Sequence, residues 1–319
     1  MRMNVYEKRK IAIVGTGMVG MSYAYALLNQ AACDELVLID LNRERAMGEA
    51  MDLNHGLSFA PGRMRIMAGD YDECSDADIV VICAGVAQKP GETRLDLLSR
   101  NAAVLEAVTR SVMESGFGGI IVVATNPVDI MTRVVQECSG FNAKRIIGSG
   151  TILDTARLRY MVGEYFSVDP RNIHGYVIGE HGDSEFVPWS QALLSTTPVL
   201  DICRKNDKYK IDELENISEQ VRTSAYTIIK AKKATYYGIG MSLVRLTKAI
   251  LGNENSVLTV SAKLSGQYGK SGVYVGLPCI LGRDGIEKIL ELNLTDEENE
   301  KLAASCKTLE DSYSAIKNS

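Results

Sequence analysis

The sequence of 319 residues lacks the histidine and cysteine patterns that are typical of metal-binding and disulfide-linked proteins. It has only three histidines, which share no metal-ligand spacing, so we expect no bound metal. Its seven cysteines are odd in number and form no Cys-x-x-Cys pair, which argues against a disulfide framework and a thiolate zinc site. This cysteine usage predicts a reducing compartment, the cytoplasm.

Two further absences narrow the range of partners. With 35 basic and 40 acidic residues the net charge is −5, so we expect neither nucleic acid nor an anionic membrane as a partner. No apolar run reaches the roughly 18 residues of a membrane span, and no signal-peptide core follows Met1. With 46% apolar residues the chain can instead bury a large core, and its length is sufficient for two domains.

The first half of the chain alternates short apolar runs with helical stretches. Strands are predicted at 11–14, 35–40, 65–67, 78–83 and 119–124, and the first two helices at about 19–30 and 43–55. Strands separated by helices are typical of βαβ units, which build a parallel sheet. We therefore expect an α/β protein whose first domain, residues 1–148, is a doubly wound parallel sheet of the Rossmann type.

The second half has a different pattern. It predicts a strand pair near 173–178 and 186–190, helices near 209–236 and 239–251, strands near 256–263 and 273–281, and a charged C-terminal helix from about Thr295. Because these strands and helices do not alternate regularly, we expect an α+β domain over residues 149–319.

A glycine-rich segment directly follows the first predicted strand. Gly15, Gly17 and Gly20 form a Gly-x-Gly-x-x-Gly pattern at the start of a helix, where free N–H groups and the helix dipole favour phosphate. Asp40 ends the second strand, where a carboxylate can accept hydrogen bonds from ribose hydroxyls and would repel a 2′-phosphate. The pattern predicts an NAD site, and the alternative is a glycine-rich turn in a flavodoxin-like fold.

His181 has the most unusual surroundings of the three histidines. It lies in segment 178–184 between two glycines and two acids. Histidine titrates near neutral pH, so His181 is the first candidate for a catalytic acid and base. The alternative is a structural role in a polar, glycine-rich turn.

Asp154 and Arg157 are three residues apart at the start of a predicted helix, so both project from one helical face. A carboxylate beside a histidine fixes the tautomer of the ring and raises its pKa. A guanidinium can bind a substrate carboxylate with two parallel hydrogen bonds. The alternative is a surface salt bridge without function.

Segment 85–94 follows the strand that ends at Cys83 and precedes a helix. It is polar and carries Gln88, Pro90 and Arg94. Because ligands of open α/β sheets bind beyond the carboxyl ends of the strands, this loop is a candidate lid that could place Arg94 against a developing oxyanion. The alternative is an ordinary connection.

Five motifs, taken in order, resemble those of the lactate/malate dehydrogenase family. They are 15–20 with Asp40, 88–94, 125–129, 152–157 and 179–184, and the resemblance runs from about residue 8 to 317. It implies a Rossmann domain followed by an α+β substrate domain, with NAD as the cofactor. It also implies hydride transfer between the nicotinamide and a 2-keto acid.

The resemblance implies a role for each matching residue. His181 would donate and accept the proton, Asp154 would orient it, and Arg94 would polarise the keto oxygen. The substrate would contact Gln88, Arg94, Asn126, Arg157 and Thr235. The cofactor would contact Gly15, Gly17, Val19, Gly20, Asp40, Gly85, Asn126, Ser149 and Ile239.

Gln88 carries the expectation about the substrate. In this family an arginine at its position pairs with the second carboxylate of oxaloacetate, whereas glutamine marks the enzymes that act on lactate. Neutral Gln88 and Thr235 would leave that carboxylate unpaired in a closed pocket, at a cost of several kcal/mol, about 3–5 by analogy with other buried charges. We expect pyruvate and L-lactate. Malate or another 2-hydroxy acid is the alternative, and a non-catalytic NAD-binding module is the alternative of a different class.

Arg159 and His174 match the family's anion site at a subunit interface. The match implies a homotetramer activated by fructose 1,6-bisphosphate, although relatives without activation carry the same pair. The alternative is a helix-surface arginine and a strand-edge histidine without a ligand. His55, at a predicted helix end, is interpreted as structural.

Overall fold

The structure is a computed structural model that describes residues 8–86, 91 and 94–317, with only the backbone of Arg94. The strands are β1 (Lys10–Val14), β2 (Glu35–Ile39), β3 (Arg65–Ala68), β4 (Ile79–Ile82), β5 (Ile120–Val123), β6 (Ile146–Gly148), β7 (Ile173–His174), β8 (Leu193–Leu194), β9 (Thr197–Pro198), β10 (Ser256–Ser265), β11 (Ser271–Gly282) and β12 (Gly285–Ile289). The helices are α1 (Met18–Gln30), α2 (Arg43–Gly56), α3 (Arg94–Glu114), α4 (Val128–Ser139), α5 (Ile152–Phe166), α6 (Val199–Lys205), α7 (Ile211–Lys232), α8 (Tyr237–Leu251) and α9 (Asp296–Lys317).

The first six strands form a parallel sheet in the order β6-β5-β4-β1-β2-β3. Every residue of β1, β2, β4 and β5 is buried, as expected for strands that are covered by helices on both faces. From β1 the chain adds β2 and β3 on one side of the sheet and then returns to add β4, β5 and β6 on the other side. Because the strand order reverses at β1, the connections of these two groups of strands lie on opposite faces of the sheet. The predicted Rossmann sheet and its fold class are confirmed.

The strands of the second half extend this sheet. β10 pairs antiparallel with β6 through Ser261 and Gly148, and β11 and β12 follow at the edge. Of the three apolar cores formed by the described residues, two therefore draw residues from both halves of the chain, and the third lies within 158–221. The local pattern predicted these strands but could not indicate that they would join the first sheet.

The predicted strand pair at 173–178 and 186–190 is much reduced. β7 pairs with β8, and the two predicted segments share a single bridge between Ile178 and Phe186. The pairing stops because Gly179 exchanges two backbone hydrogen bonds with Gly276 of β11, of 3.0 and 2.9 Å. The segment after Ile178 is thereby a loop attached to the main sheet.

The predicted helix end at residue 236 is four residues too late. α7 ends at Lys232, and Lys233 caps it in the left-handed conformation at φ 73°. Residues 233–236 form a non-helical link to α8, and this link contains Thr235.

The sequence predicts neither a membrane-spanning helix nor a disulfide framework. None of the helices in the described ranges has a stretch that is long and apolar enough to cross a lipid bilayer. All seven cysteines are free thiols, and five of them are buried.

Gly150 provides a test of the junction between the halves. It lies at φ +51°, and a Cβ there would approach the Val260 carbonyl carbon of β10 at 2.7 Å. We expect Gly150→Ala to lower the free energy of unfolding by about 2–4 kcal/mol, because it adds backbone strain and a backbone clash. Thermal unfolding measures the effect. Gly118→Ala is the control, since Gly118 has no positive φ and nothing within 4 Å; equal melting temperatures of the two variants would contradict the account.

Candidate active site

Most of the predicted cofactor residues lie at one edge of the sheet. The neighbouring strands β1, β4, β5 and β6 end immediately before the segments that hold Gly15, Gly85, Asn126 and Ser149. Asp40 directly follows β2. The carboxyl ends of parallel strands face one edge, which is where ligands bind in open α/β sheets. The fold therefore gathers residues that are up to 134 positions apart in the sequence.

The glycine turn fits a bound dinucleotide. Gly15 lies at φ +104°, and a Cβ there would approach the Ala84 nitrogen at 2.7 Å. A Cβ on Gly20 would collide with the carbonyl oxygen of Gly15, so the helix can pack this close only with glycine. Nothing lies within 4 Å of a Cβ on Gly17, which is the N-cap of α1 and supplies no side-chain cap. The N–H groups of this helix end are thus open to a phosphate.

Asp40 already holds its own turn in place. Its Oδ2 accepts hydrogen bonds from the N–H and the hydroxyl of Thr16, both at 2.8 Å, and its Oδ1 accepts the Asn42 N–H at 2.9 Å. Partial burial opposes ionisation, but these hydrogen bonds outweigh it and hold the pKa of Asp40 below its ordinary value. Asp40 therefore presents a fixed negative charge at the end of β2.

Val19 and Ile239 lie on packed helices beside this edge. Both are partly buried against the first apolar core. A Cβ on Gly240 of α8 would lie 2.6 Å from Ser22 Oγ of α1, so the two helices approach closely. A Cβ on Gly238 would approach Leu153 Cδ1 at 2.8 Å, which places the link containing Thr235 beside the first turn of α5.

His181, Asp154 and Arg157 form one contact group. His181 Nδ1 lies 2.6 Å from Asp154 Oδ2, and Arg157 Nη1 donates to Asp154 Oδ1 at 2.7 Å. The Asp154 side chain is 2% exposed, that of Arg157 12% and that of His181 25%. The carboxylate is thus shared by two cations in a nearly dry site, and its pair with Arg157 is not an exposed salt bridge.

The electrostatics of the group favour a charged histidine. Burial opposes protonation of His181 and is the largest single influence, but the charge and hydrogen bond of Asp154, aided by Glu185 and Asp129, raise the pKa of His181 to about 9. Burial likewise opposes ionisation of Asp154, yet His181 and Arg157 hold the pKa of Asp154 below its ordinary value. At neutral pH the pair is therefore an imidazolium and a carboxylate.

Glu185 is a member of the site that the sequence did not predict. Its Oε2 lies 3.9 Å from His181 Nδ1, and its side chain is 5% exposed. Burial, followed by the charge of Asp154, raises the pKa of Glu185 far above its ordinary value, so it is a neutral acid near pH 7. Its position four residues after His181 is the only local signal, and spacing alone does not reveal burial.

Donor atoms of Asp154, His181 and Glu185 lie within 4.8 Å of one another, as the ligands of a metal ion would. The Arg157 guanidinium, however, already places a positive charge on Asp154 at 2.7 Å. The arrangement suits an acid–base pair with its own cation better than a metal centre.

The remaining predicted residues are less directly connected to this group. Asn126 is exposed and precedes a cis peptide bond to Pro127. Gln88 and the side chain of Arg94 lie outside the described residues. Arg159 Nε donates to the Gly175 carbonyl at 3.2 Å, which brings it beside the exposed His174.

The fold and the site define an oxidoreductase of the Rossmann class that uses NAD. Residues 9–148 match the family model described as "lactate/malate dehydrogenase, NAD binding domain", and residues 151–319 match that of the "alpha/beta C-terminal domain". The chain belongs to the lactate/malate dehydrogenase family. A non-catalytic NAD-binding module is no longer an alternative.

Relatives cover nearly the whole chain. An L-lactate dehydrogenase of Geobacillus sp. (strain WCH70) is 55% identical, with 95% of each chain covered. L-lactate dehydrogenase 2 of Bacillus anthracis is 52% identical, with 96% of this chain and 98% of the relative covered. Among solved structures, a lactate dehydrogenase from a Medee basin deep-sea metagenome library has a TM-score of 0.96 at 51% identity, covering 98% and 99%.

A second solved structure, the ligand-bound minor L-lactate dehydrogenase of Enterococcus mundtii, has a TM-score of 0.96 at 45% identity, covering 97% and 99%. The fold is therefore shared over its full extent with enzymes that carry this name.

Proposed function

We propose that the protein interconverts pyruvate and NADH with (S)-lactate and NAD. One observation carries the proposal: a buried carboxylate, Asp154, contacts both His181 and Arg157 beside the nucleotide edge of the sheet. A proton donor and a carboxylate-binding cation in one site are what reduction of a 2-keto acid requires. The alternative is malate or another 2-hydroxy acid of the same family.

Proton transfer falls to His181. NADH, when bound, supplies a hydride to the carbonyl carbon of pyruvate. The ionised Asp154 holds Nδ1 of His181, so Nε2 is the nitrogen that donates a proton to the keto oxygen. Asp154 stays charged throughout and stabilises the imidazolium in the reductive direction. In lactate oxidation the neutral imidazole accepts the hydroxyl proton.

Substrate binding falls to the residues around this pair. Arg157 binds the substrate carboxylate while its Nη1 keeps Asp154 in place. Arg94 would polarise the keto oxygen, and Asn126 would donate to the same region. Thr235 and Gln88 would contact the substrate on the side of its methyl group.

The cofactor contacts follow from the edge of the sheet. Gly15, Gly17 and Gly20 would hold the pyrophosphate, and Asp40 the adenosine ribose. Val19, Gly85, Asn126 and Ser149 would lie along the dinucleotide, and Ile239 would pack on the nicotinamide. Residues 1–148 would form the nucleotide domain, and residues 149–319 would form the substrate domain. We expect the protein to act in the cytoplasm.

Gln88 provides the test of the substrate. We expect the parent protein to oxidise NADH with pyruvate at least about 100-fold more efficiently than with oxaloacetate, because a neutral pocket leaves the second carboxylate unpaired. Gln88→Arg should reverse the preference, and Gln88→Asn is the control that leaves the pocket neutral. Absorbance at 340 nm follows both reactions. A parent preference for oxaloacetate would overturn the assignment.

Self-association and an effector site are proposed together. Exposed apolar side chains lie on three helices that pack together, and they suit a contact between copies: Met18 and Tyr25 of α1, Met47 and Met51 of α2, and Tyr237 and Met241 of α8. Beside His174, burial lowers the pKa of Arg159 below its ordinary value, yet it stays cationic at neutral pH. We infer a homotetramer that binds fructose 1,6-bisphosphate between subunits through this pair.

Fructose 1,6-bisphosphate should lower the KM for pyruvate by about 5- to 150-fold, because it couples to substrate binding across subunits. Sedimentation velocity should give about four times the 34.8 kDa chain mass. Arg159→Gln should abolish the activation, whereas Arg171→Gln, an exposed arginine paired with Asp169, should retain it. Identical kinetics with and without the bisphosphate at subsaturating pyruvate would remove the effector from the proposal, and a monomer mass would remove the tetramer.

A further inference from the structure

Glu185 is the last residue of the loop that carries His181. The bridge between Ile178 and Phe186 closes this loop through two backbone hydrogen bonds of 3.0 Å, and the Glu185 N–H donates to the Gly182 carbonyl at 3.2 Å. The backbone is therefore held at Glu185 and at the residue that follows it. The side chain of Glu185 is 5% exposed and lies against the acid–base pair, with Oε2 3.9 Å from His181 Nδ1.

Glu185 also lines a cavity of about 570 Å³ between segment 184–190 and the helices α6, α7 and α9. Lys301 and Glu297 line the same cavity, and their side chains are 48% and 76% exposed, so the cavity opens to the surface. Glu185 therefore lies between a solvent-accessible cavity and the acid–base pair. It can exchange its proton with water although its side chain is nearly buried.

Charged groups on three helices and on the loop define the electrostatic setting of Glu185. They are Asp154 and Arg157 of α5, His181 of the loop, which Asp129 of α4 also faces, Glu215, Glu219 and Arg222 of α7, and Glu297, Glu298 and Lys301 of α9. Burial, followed by the charge of Asp154, raises the pKa of Glu185 to about 9. A hydrogen bond with Asp154 acts in the same direction, whereas the charges of His181 and Arg157 act in the opposite one. At neutral pH Glu185 therefore keeps a proton that it can donate.

The Asp154 carboxylate can accept a third hydrogen bond. Its Oδ1 accepts from Arg157 at 2.7 Å, and its Oδ2 lies 2.6 Å from His181 Nδ1. A carboxylate offers about four lone-pair sites, so these two contacts do not occupy all of them. A Glu185 oxygen, an Asp154 oxygen and a His181 ring nitrogen lie within 4.8 Å of one another. The protonated Glu185 can therefore add a hydrogen bond to the carboxylate that orients the imidazole.

We propose that Glu185 is a positioning residue of the acid–base pair: as a neutral acid it donates a hydrogen bond to Asp154, and as a carboxylate at alkaline pH it favours the imidazolium of His181. The inference rests on the proposed function, in which Nε2 of His181 protonates the keto oxygen. Glu185 lies on the Nδ1 side of the ring, so it affects the reaction through Asp154 and through its own charge. As a consequence, pyruvate reduction extends to higher pH than Asp154 alone would allow.

The titration of His181 can be followed directly by NMR with isotope-labelled histidine, because the sequence has only three histidines. His55→Gln and His174→Gln assign the other two signals. In the parent protein we expect the His181 signal to titrate near pH 9. Glu185→Gln keeps a donor for Asp154 but removes the charge that favours the imidazolium, so the midpoint should fall by about one pH unit. This measurement requires no turnover.

Kinetics separate the hydrogen bond of Glu185 from its charge. Glu185→Gln should reduce pyruvate with a kcat within about threefold of the parent at its best pH, and its basic limb should move down by about one pH unit. Glu185→Leu removes the donor, so kcat should fall about 10-fold, because a less firmly oriented imidazole costs turnover. The KM for pyruvate should stay within about twofold, since Arg157 keeps its own bond to Asp154.

Glu298→Gln is the matched control. Glu298 is also a buried carboxylate that lines the cavity, but it accepts the N–H and the hydroxyl of Ser190 at 3.1 and 2.6 Å and the Thr295 N–H at 2.9 Å. These bonds fix the start of α9 and do not involve the acid–base pair. We therefore expect the His181 midpoint, kcat and the pH profile of this variant to match those of the parent.

Equal His181 midpoints in the parent and in Glu185→Gln would overturn the inference. A parental kcat in Glu185→Leu, or an equal shift of the midpoint in Glu298→Gln, would do the same. If Glu185→Leu does not fold, the midpoint in Glu185→Gln decides alone. A parent protein that shows the expected midpoints but does not reduce pyruvate would instead refute the proposed function.

Discussion

The hydrogen-bonded ion pair between His181 and Asp154 is the interaction on which the site depends. In a nearly dry environment each partner alone would lose its charge, because burial opposes both the imidazolium and the carboxylate. Together, and with Arg157 on the second carboxylate oxygen, they remain charged at 2.6 and 2.7 Å. Glu185 is a neutral acid in this site, because a second negative charge beside Asp154 would not be compensated by the charges of His181 and Arg157.

The sheet explains how this pair meets the nucleotide edge. β6 ends at Gly148, and α5, which carries Asp154, begins four residues later at Ile152. β10 pairs antiparallel with β6 at Ser261. The loop with His181 is attached to β11 through Gly179 and Gly276. Because β10 and β11 continue the sheet of the first half, the acid–base pair and the glycine turn are attached to one continuous sheet. Shared apolar cores hold the two halves together.

The sequence was most informative where the signal is local. The Gly15–Gly20 turn, Asp40, and the resemblance-based pairing of His181 with Asp154 correspond to contacts or positions in the structure. The continuation of the sheet through β10 was not predictable, since strand pairing over more than 100 residues leaves no local pattern. Asp129 and Glu185 were missed for the same reason: their chemistry comes from burial and from partners on other elements. The strand pair at 173–190 was overestimated because alternation does not reveal a competing bond to β11.

The pH dependence of kcat/KM in both directions tests the central claim most directly. The folded protein raises the pKa of His181 above its ordinary value of 6.5 to about 9, so the imidazolium persists until the pH rises through about 9. Pyruvate reduction should therefore stay constant through neutral pH and decline above about pH 9, whereas lactate oxidation should rise through neutral pH and level off above about pH 9. A common limb near pH 6.5, or the same direction of change for both reactions, would contradict the account.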